Sequence, residues 1–554
     1  MRAVTRLRSN VQSQRISLCV AMLAVAIVPL SGCGLGQWMH NGLKVGPNYV
    51  KPSAPHGRDW ISDTAGEADE TAEEGSTPQF SRNRQQECRW WSQFNDPILD
   101  ELVGAAFENN LSAKAAAYRV MQARYARYAT TGTIFPQTQT YSGSYSRSLR
   151  SGNASGVNGI PGIPRYNSSW DTGFDLNWEL DFWGRIRRSI LAANANYEAT
   201  IEDLDDVLVT LVADVASTYL EIRGVDRRLA YARQNVEIQQ GTLDINEIKL
   251  DAGKISAVDV EQAKTNLYQT ESTIPQLLES RRQLENRLSV LLGVPPSDLM
   301  EIIGSGDIPI VPETVVVGIP ADLLRRRPDI RAAERRVAAQ SEQIGIAKAD
   351  LYPTFSLTGS LGLSAAELGD LFQTTSGTGL VSPGFRWNIL NYGQLTNLVQ
   401  VQREALLEDV ANYQNTVLTA QQEVEDAMAQ FLYARHQYAK LTKAVEAATE
   451  AVRLGEIQWQ EGEIEYNQVF TLQATLVALQ SELVQAELRT AQGLVEINRA
   501  LGGGWEVRCN ECIPKIRYAC DPTMAPGKPE PELCAPDCMC PRCRAARRGH
   551  ASVH

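Results

Sequence analysis

Trp170-Asp171-Thr172-Gly173-Phe174-Asp175-Leu176-Asn177-Trp178-Glu179-Leu180-Asp181-Phe182 is the stretch that decides the fold. Its even positions read Trp, Thr, Phe, Leu, Trp, Leu, Phe, and its odd positions Asp, Gly, Asp, Asn, Glu, Asp. Side chains of a strand point alternately to its two faces, so this alternation predicts a strand with one greasy and one wet face. Upstream, Thr138 to Arg147 alternates more weakly through Tyr141 and Tyr145, and the Gly/Asn/Pro-rich segment from Ser151 to Pro164 predicts the connecting loop. A soluble sandwich also alternates. Aromatics at the ends of strands long enough to cross a bilayer favour a transmembrane barrel.

The pattern occurs twice. Asn110-Leu111-Ser112-Ala113-Lys114-Ala115-Ala116 lies 217 positions before Arg327-Pro328-Asp329-Ile330-Arg331-Ala332-Ala333, and Phe135-Pro136 keeps that offset to Tyr352-Pro353. The offset then becomes 209: Trp183-Gly184-Arg185 onto Tyr392-Gly393-Gln394, Gly253 onto Gly462, Asp259-Val260 onto Gln468-Val469, Leu292-Gly293 onto Leu501-Gly502. Fixed-offset self-similarity marks a structural unit used twice. Its second copy carries alternating strands through Phe355, Leu357, Gly359 and Leu361, then Val381, Phe385, Trp387 and Ile389.

Between the strands the period changes. Leu204, Leu208, Leu211, Val215, Thr218, Ile222, Val225, Leu229, Ala232 and Val236 alternate spacings of four and three, and Tyr413 to Val445 repeats this 209 positions later. That is a heptad pattern. Gly184 to Leu250 holds no proline in 67 residues, which predicts a rod of about 100 Å. Ser256 to Leu292 (37 residues) and Ile98 to Thr131 (34 residues) predict two shorter helices. Laid end to end, these match the long rod, with the linker Gly293 to Pro320 adding irregular structure at their junction.

Four strands cannot close a barrel, and open edges are not tolerated in lipid. Three copies give twelve strands and a tube of helices. The expected fold is therefore a long all-α coiled-coil barrel plus a transmembrane β-barrel, built from a duplicated helix–β-hairpin–helix unit and trimeric with four strands per chain. The net charge of -12 argues against nucleic acid, and five histidines, mostly at the extremes, offer no catalytic cluster. After Leu30 no apolar run is long enough for a membrane-spanning helix. Arg2, Arg6, Arg8 and Arg15 precede an apolar run from Ile16 to Leu30, followed by Leu30-Ser31-Gly32-Cys33. That is a secretory signal, and small residues before a cysteine resemble a bacterial lipobox, whose cysteine carries lipid. Gly34 follows, not Asp, so nothing points to inner-membrane retention.

In this order and spacing, several segments resemble the outer membrane factors, TolC-like efflux and secretion channels, and in particular their lipoprotein (NodT-type) subgroup, over roughly residues 30 to 503. They are the lipobox; Val45-Gly46-Pro47-Asn48-Tyr49-Val50-Lys51-Pro52; Trp90-Trp91 with Phe94, Asp96-Pro97 and Leu99-Asp100; Trp178-Glu179-Leu180-Asp181-Phe182-Trp183-Gly184-Arg185; and Leu323-Leu324-Arg325-Arg326-Arg327-Pro328-Asp329-Ile330. The resemblance implies the exit duct of a tripartite efflux system. It would be a homotrimer that meets a periplasmic adaptor (membrane fusion) protein and, through it, an inner-membrane pump of the RND, ABC or MF type. No enzymatic activity or cofactor is implied beyond the lipid on Cys33. Rival readings are the duct of type I protein secretion and a coiled-coil lipoprotein without a pore.

The chain then divides into a signal peptide (1–32), a lipidated extension with an acidic linker (33–89), a first repeat (90–293, strand hairpin about 137–182), an equatorial linker (294–319), a second repeat (320–503, strand hairpin about 354–390) and a Cys-rich periplasmic tail (504–554). The resemblance puts the tunnel's closure at the helix–turn–helix tips, around Gly253 and Gly462. Asp259, six residues after the first glycine, falls where the family carries an acidic constriction residue. The second copy departs from this with Gln468, where Glu465 is the substitute. Rings of carboxylates favour cations, so Asp259 and Glu465 are the gate candidates, against the alternative of solvated helix surface. Asp251, Gly253, Lys254, Glu461, Gly462 and Glu463 are the expected adaptor contacts. The arginines at 325–327 read as a helix start that serves packing, with an anion site as the alternative.

The tail departs from the family. Cys509, Cys512, Cys520, Cys534, Cys538, Cys540 and Cys543, with Cys88, make eight cysteines besides Cys33 in the mature chain, Cys19 falling in the signal peptide. In an oxidising periplasm four disulfides are the leading account, while the pairs Cys509/Cys512 and Cys540/Cys543 would also suit zinc.

Overall fold

The computed structural model describes residues 34–55, 57, 59–61, 79–81, 89–151, 166–312, 314–316, 320 and 326–505. Cys33, Cys88 and the seven tail cysteines lie outside these residues, as do the signal segment and most of the acidic linker. In chain order the elements are α1 (Gly34–His40), β1 (Gln79–Ser81), a 3-10 turn (Trp90–Phe94), α2 (Pro97–Asn109), α3 (Leu111–Gly132), β2 (Thr138–Leu149), β3 (Tyr166–Leu180), α4 (Arg185–Asp251), α5 (Ala257–Leu291), α6 (Met300–Ile303), β4 (Thr314–Val316), α7 (Pro328–Ala349), β5 (Thr354–Ala365), β6 (Gly377–Arg386), α8 (Gln394–Glu461) and α9 (Tyr466–Ala500). The long rods run 67 and 68 residues. Among the described residues no helix is long and apolar enough to cross a membrane.

The chain forms two compact units, each assembled from pieces of both repeats. The first comprises the described residues before Ser53 with Gln122–Tyr197 and Arg335–Ala411. Its centre is an antiparallel four-stranded sheet in the order β2-β3-β5-β6, so β3 and β5 join one hairpin to the other. The register sets Tyr141 opposite Phe174 and Phe174 opposite Leu361, a greasy row across three strands. On the opposite face Asp171 accepts hydrogen bonds from Ser169 (2.7 Å) and Ser364 (2.6 Å). Gly173 and Gly362 face each other so closely that a Cβ on Gly173 would lie 2.8 Å from the Gly362 Cα. Only glycine fits there.

Trp170–Phe182 proves to be strand from Tyr166 to Leu180 only. Asp181 leaves the ladder to accept from the Ile186 and Arg187 backbone N–H groups, at 2.9 and 3.0 Å, and so starts α4. A helix's first N–H groups lack intrahelical partners, which explains the departure. Trp387 and Ile389 likewise fall beyond β6. The indole of Trp178 donates to the Ile134 carbonyl (3.2 Å) and that of Trp387 to the Leu351 carbonyl (3.1 Å), so both repeats make the same bond.

The arm after α1 is strapped into this unit. Arg187 donates to the carbonyls of Gly42 and Leu43, and the fully buried Arg188 to those of Val45 and Gly46 and to Glu342. Trp38 stacks on Phe182, which contacts Trp183 and Phe355.

The second unit comprises the described residues of Ser53–Met121, of Glu198–Glu334 and from Asn412 onward. Here α4 pairs with α5 through Val225, Leu229, Ala232 and Leu277, and α8 with α9 through Val445, Val452, Leu476 and Leu483. The expected helix from Ile98 to Thr131 is broken. Asn110 (ψ 126°) leaves the helical region, and its amide oxygen caps α3 at the Ala113 N–H (2.9 Å). Its amide nitrogen donates to the Leu291 carbonyl at the end of α5 (2.8 Å), so short helices meet end to end here. In the second repeat Arg327 donates to the Ala500 carbonyl (2.8 Å) at the end of α9. Arg327 also pairs with Asp329 and Glu423, both at 2.7 Å. The guanidinium is thus committed to packing, which answers the anion-site alternative at this residue. Linker 294–319 supplies α6 and β4, and β4 pairs parallel with β1.

Asp206 lies beside this cluster, and burial followed by the Asp329 charge pushes its carboxyl up to about 6. A carboxyl raised in the folded state loses stability as pH climbs from about 4 through 6. Asp206→Asn is therefore expected to raise the stability in detergent at pH 7, read as a higher thermal midpoint, by about 2 kcal/mol at most, with the gain fading toward pH 4. Asn110→Ala, which orphans two backbone groups, should lower it by about 1–2 kcal/mol at every pH.

Candidate gate at the helical hairpin turns

Both α4–α5 and α8–α9 turn on a glycine in the left-handed region, Gly253 (φ 66°) and Gly462 (φ 82°). The Lys254 N–H reaches back to the Lys249 carbonyl (2.9 Å) and the Glu463 N–H to the Gln458 carbonyl (2.8 Å). A left-handed residue lets the chain reverse while the last helical carbonyls stay bonded. Asp251, Gly253, Lys254, Glu461, Gly462, Glu463 and Glu465 are all exposed, whereas Asp259 is half-buried.

The two turns start their second helices differently. Ser256 accepts from the Val258 N–H (3.1 Å), and Asp259 accepts from the Ser256 N–H (2.9 Å), which makes a reciprocal capping box. Asp259 thus has a local task besides any effect on ions. In the second turn Glu465 is the N-cap residue but its side chain makes no capping bond. Gln468 stands where Asp259 stands in the first.

The hairpins are tied together by residues that sequence reading missed. Lys249 donates to the Trp459 carbonyl (2.9 Å) and lies 3.9 Å from the centre of its ring. Burial, then the neighbouring Lys254, holds its ammonium below the usual value. Trp459 meets Tyr466 edge to face at 5.8 Å, and both pack with Leu243, Val260, Leu267 and Val469. Burial and the Asp259 carboxylate push the Tyr466 hydroxyl up to about 12. Each residue sits within a turn or so of a turning glycine, but their contact joins segments 210 positions apart. No local periodicity encodes that.

The profile of the outer membrane efflux protein family matches residues 102–294 and 319–503. The toluene efflux pump outer membrane protein TtgF of Pseudomonas putida is 31% identical over 493 residues, spanning 87% of this chain and 97% of that protein. Nodulation protein T of Rhizobium leguminosarum bv. trifolii is 30% identical over 469 residues, with 84% and 95% covered. Among solved structures, the outer-membrane channel OprN superposes with a TM-score of 0.76 at 29% identity, covering 83% of this chain and 99% of that one. The Neisseria gonorrhoeae MtrE channel shares the fold at a TM-score of 0.71 and 24% identity, covering 83% and 98%. The chain belongs to the outer membrane efflux protein family and has the TolC-like channel fold.

Ser256→Ala and Asp259→Asn each remove half of the capping box. Each is expected to cost about 1 kcal/mol, read as a lower thermal midpoint. Gln468→Ala should leave the midpoint unchanged.

Proposed function

We propose that three copies of this chain form the outer-membrane exit duct of a tripartite efflux system. The observation that carries this reading is a four-stranded sheet ending in β2 and β6. Neither of these edge strands has a second partner among the described residues. Tyr141 (66% exposed), Phe174 (63%), Leu361 (70%) and Phe385 (71%) lie on one face of it. An apolar face with two open edges suits lipid only in a closed barrel. Three copies supply twelve strands, within the known range of about 8 to 26. Lipid on Cys33 would add an anchor. The arm that follows Cys33 is strapped beside the aromatic layer of Trp38, Phe182 and Trp183, the residue types that favour a membrane interface.

In this reading the exposed turns, Asp251 to Lys254 and Glu461 to Glu463, receive the periplasmic adaptor. Asp259, with Glu465, makes the narrow passage cation-favouring. An inner-membrane pump of the RND, ABC or MF type selects the substrate, and no bond is made or broken in transit. The tail cysteines form disulfides in the oxidising periplasm, and zinc is not required.

Purified protein should have three times the 61.1 kDa of the unprocessed chain, less the signal peptide, and conduct ions in planar bilayers. A monomer that conducts nothing sinks the duct. In the same bilayers Asp259→Asn should weaken cation preference while Ser256→Ala, which loses the cap but keeps the carboxylate, should not. Equal behaviour of the two variants removes Asp259 from the gate.

A further inference from the structure

The heptad positions of α4 continue past Val236 as Gln239, Leu243, Asn246 and Leu250, with the same alternation of three and four. At the offset of 209 the matching positions of α8 are Ala448, Val452, Gly455 and Trp459. Core positions that are small in the second hairpin therefore hold two carboxamides in the first. Gln239 is 2% exposed and Asn246 0%. Neither the oxygen nor the nitrogen of either amide hydrogen-bonds to any described residue. Facing helices follow suit, since α5 places the buried Thr270 where α9 places Leu479.

The polar character extends to the flanks. Asn235 donates to Gln480 (2.7 Å), Gln473 to Thr242 (3.2 Å) and Asn266 to Gln473 (3.1 Å), all of them buried. Inside the second hairpin the corresponding stretch packs Val445, Val452, Leu476 and Leu483 on Ala448, Leu472 and Leu479, and its buried amides, Gln473 and Gln480 of α9, are hydrogen-bonded, Gln473 also to Glu456 (3.0 Å). A primary amide offers two N–H donors and two oxygen lone pairs. Burying it unpaired penalises the packed state, whereas leucine there would not. Parting of the helices exposes these amides to water and recovers their hydrogen bonds. The penalty thus falls on the closed form of one hairpin and spares the other.

We propose that Gln239 and Asn246 make the turn-side part of the first hairpin, residues 235–274, a seam that parts transiently and takes up water while the matching part of the second hairpin stays closed. The seam does not rest on the duct reading.

Hydrogen–deuterium exchange of the full chain in detergent compares residues 235–250 and 257–274 with their counterparts at 444–459 and 466–483. The repeat serves as its own control for fraying near a turn. Residues 235–274 should exchange at least about tenfold faster. The double variant Gln239→Leu with Asn246→Leu should bring the two hairpins to within about threefold. If that variant fails to assemble, Gln239→Ala with Asn246→Ala, closer in size to Ala448 and Gly455, should shift exchange in the same direction. Equal exchange of the two hairpins in the unmodified protein, or exchange that neither variant slows, overturns the seam. A protein that shows the asymmetry but conducts nothing keeps the seam and loses the duct.

Discussion

The β3–β5 ladder is the constraint on which the strand unit depends. Its backbone bonds join two hairpins that are almost two hundred positions apart, and its register decides which residues face out together. A slip of one residue would put Phe174 and Leu361 on opposite faces of the sheet. The close approach of Gly173 and Gly362 pins the register at one point, because a side chain at either site would collide with the facing backbone. A continuous greasy face, and with it the membrane reading, follows from that one pairing.

The duplication extends below the level of sequence into individual bonds. The indoles of Trp178 and Trp387 reach equivalent carbonyls, at Ile134 and Leu351. The end of each short helix is held by an equivalent position, Asn110 in one repeat and Arg327 in the other. The second pair shows how copies drift. A neutral amide suffices in the first junction, whereas the second uses a guanidinium that must be matched by Asp329 and Glu423. The same geometric demand is met with and without charge.

Much of this was legible in the residues. Alternation over Trp170 to Leu180, the heptads and the turning glycines have local causes, so local patterns reveal them. The break at Asn110 was missed because Ile98 to Thr131 keeps a helical composition throughout. Only the asparagine's capping and its distant bond to Leu291 show why the chain leaves the helix there. Lys249 against Trp459 was missed for a related reason, since the contact spans both repeats. Asp259 was picked out because it falls where the family carries an acidic constriction residue. Its capping bond to Ser256 shows that the same carboxylate also starts a helix.

The two turns are built on one backbone plan and finished differently, with a reciprocal cap at Ser256 and Asp259 and none at Glu465 and Gln468. If the turns receive a partner as proposed, that partner meets two sorts of landing place. A ring of identical partner molecules that touched every turn would have to dock in two inequivalent ways, alternating around the circle. The internal duplication thus gives each chain two such turns while denying them equal chemistry.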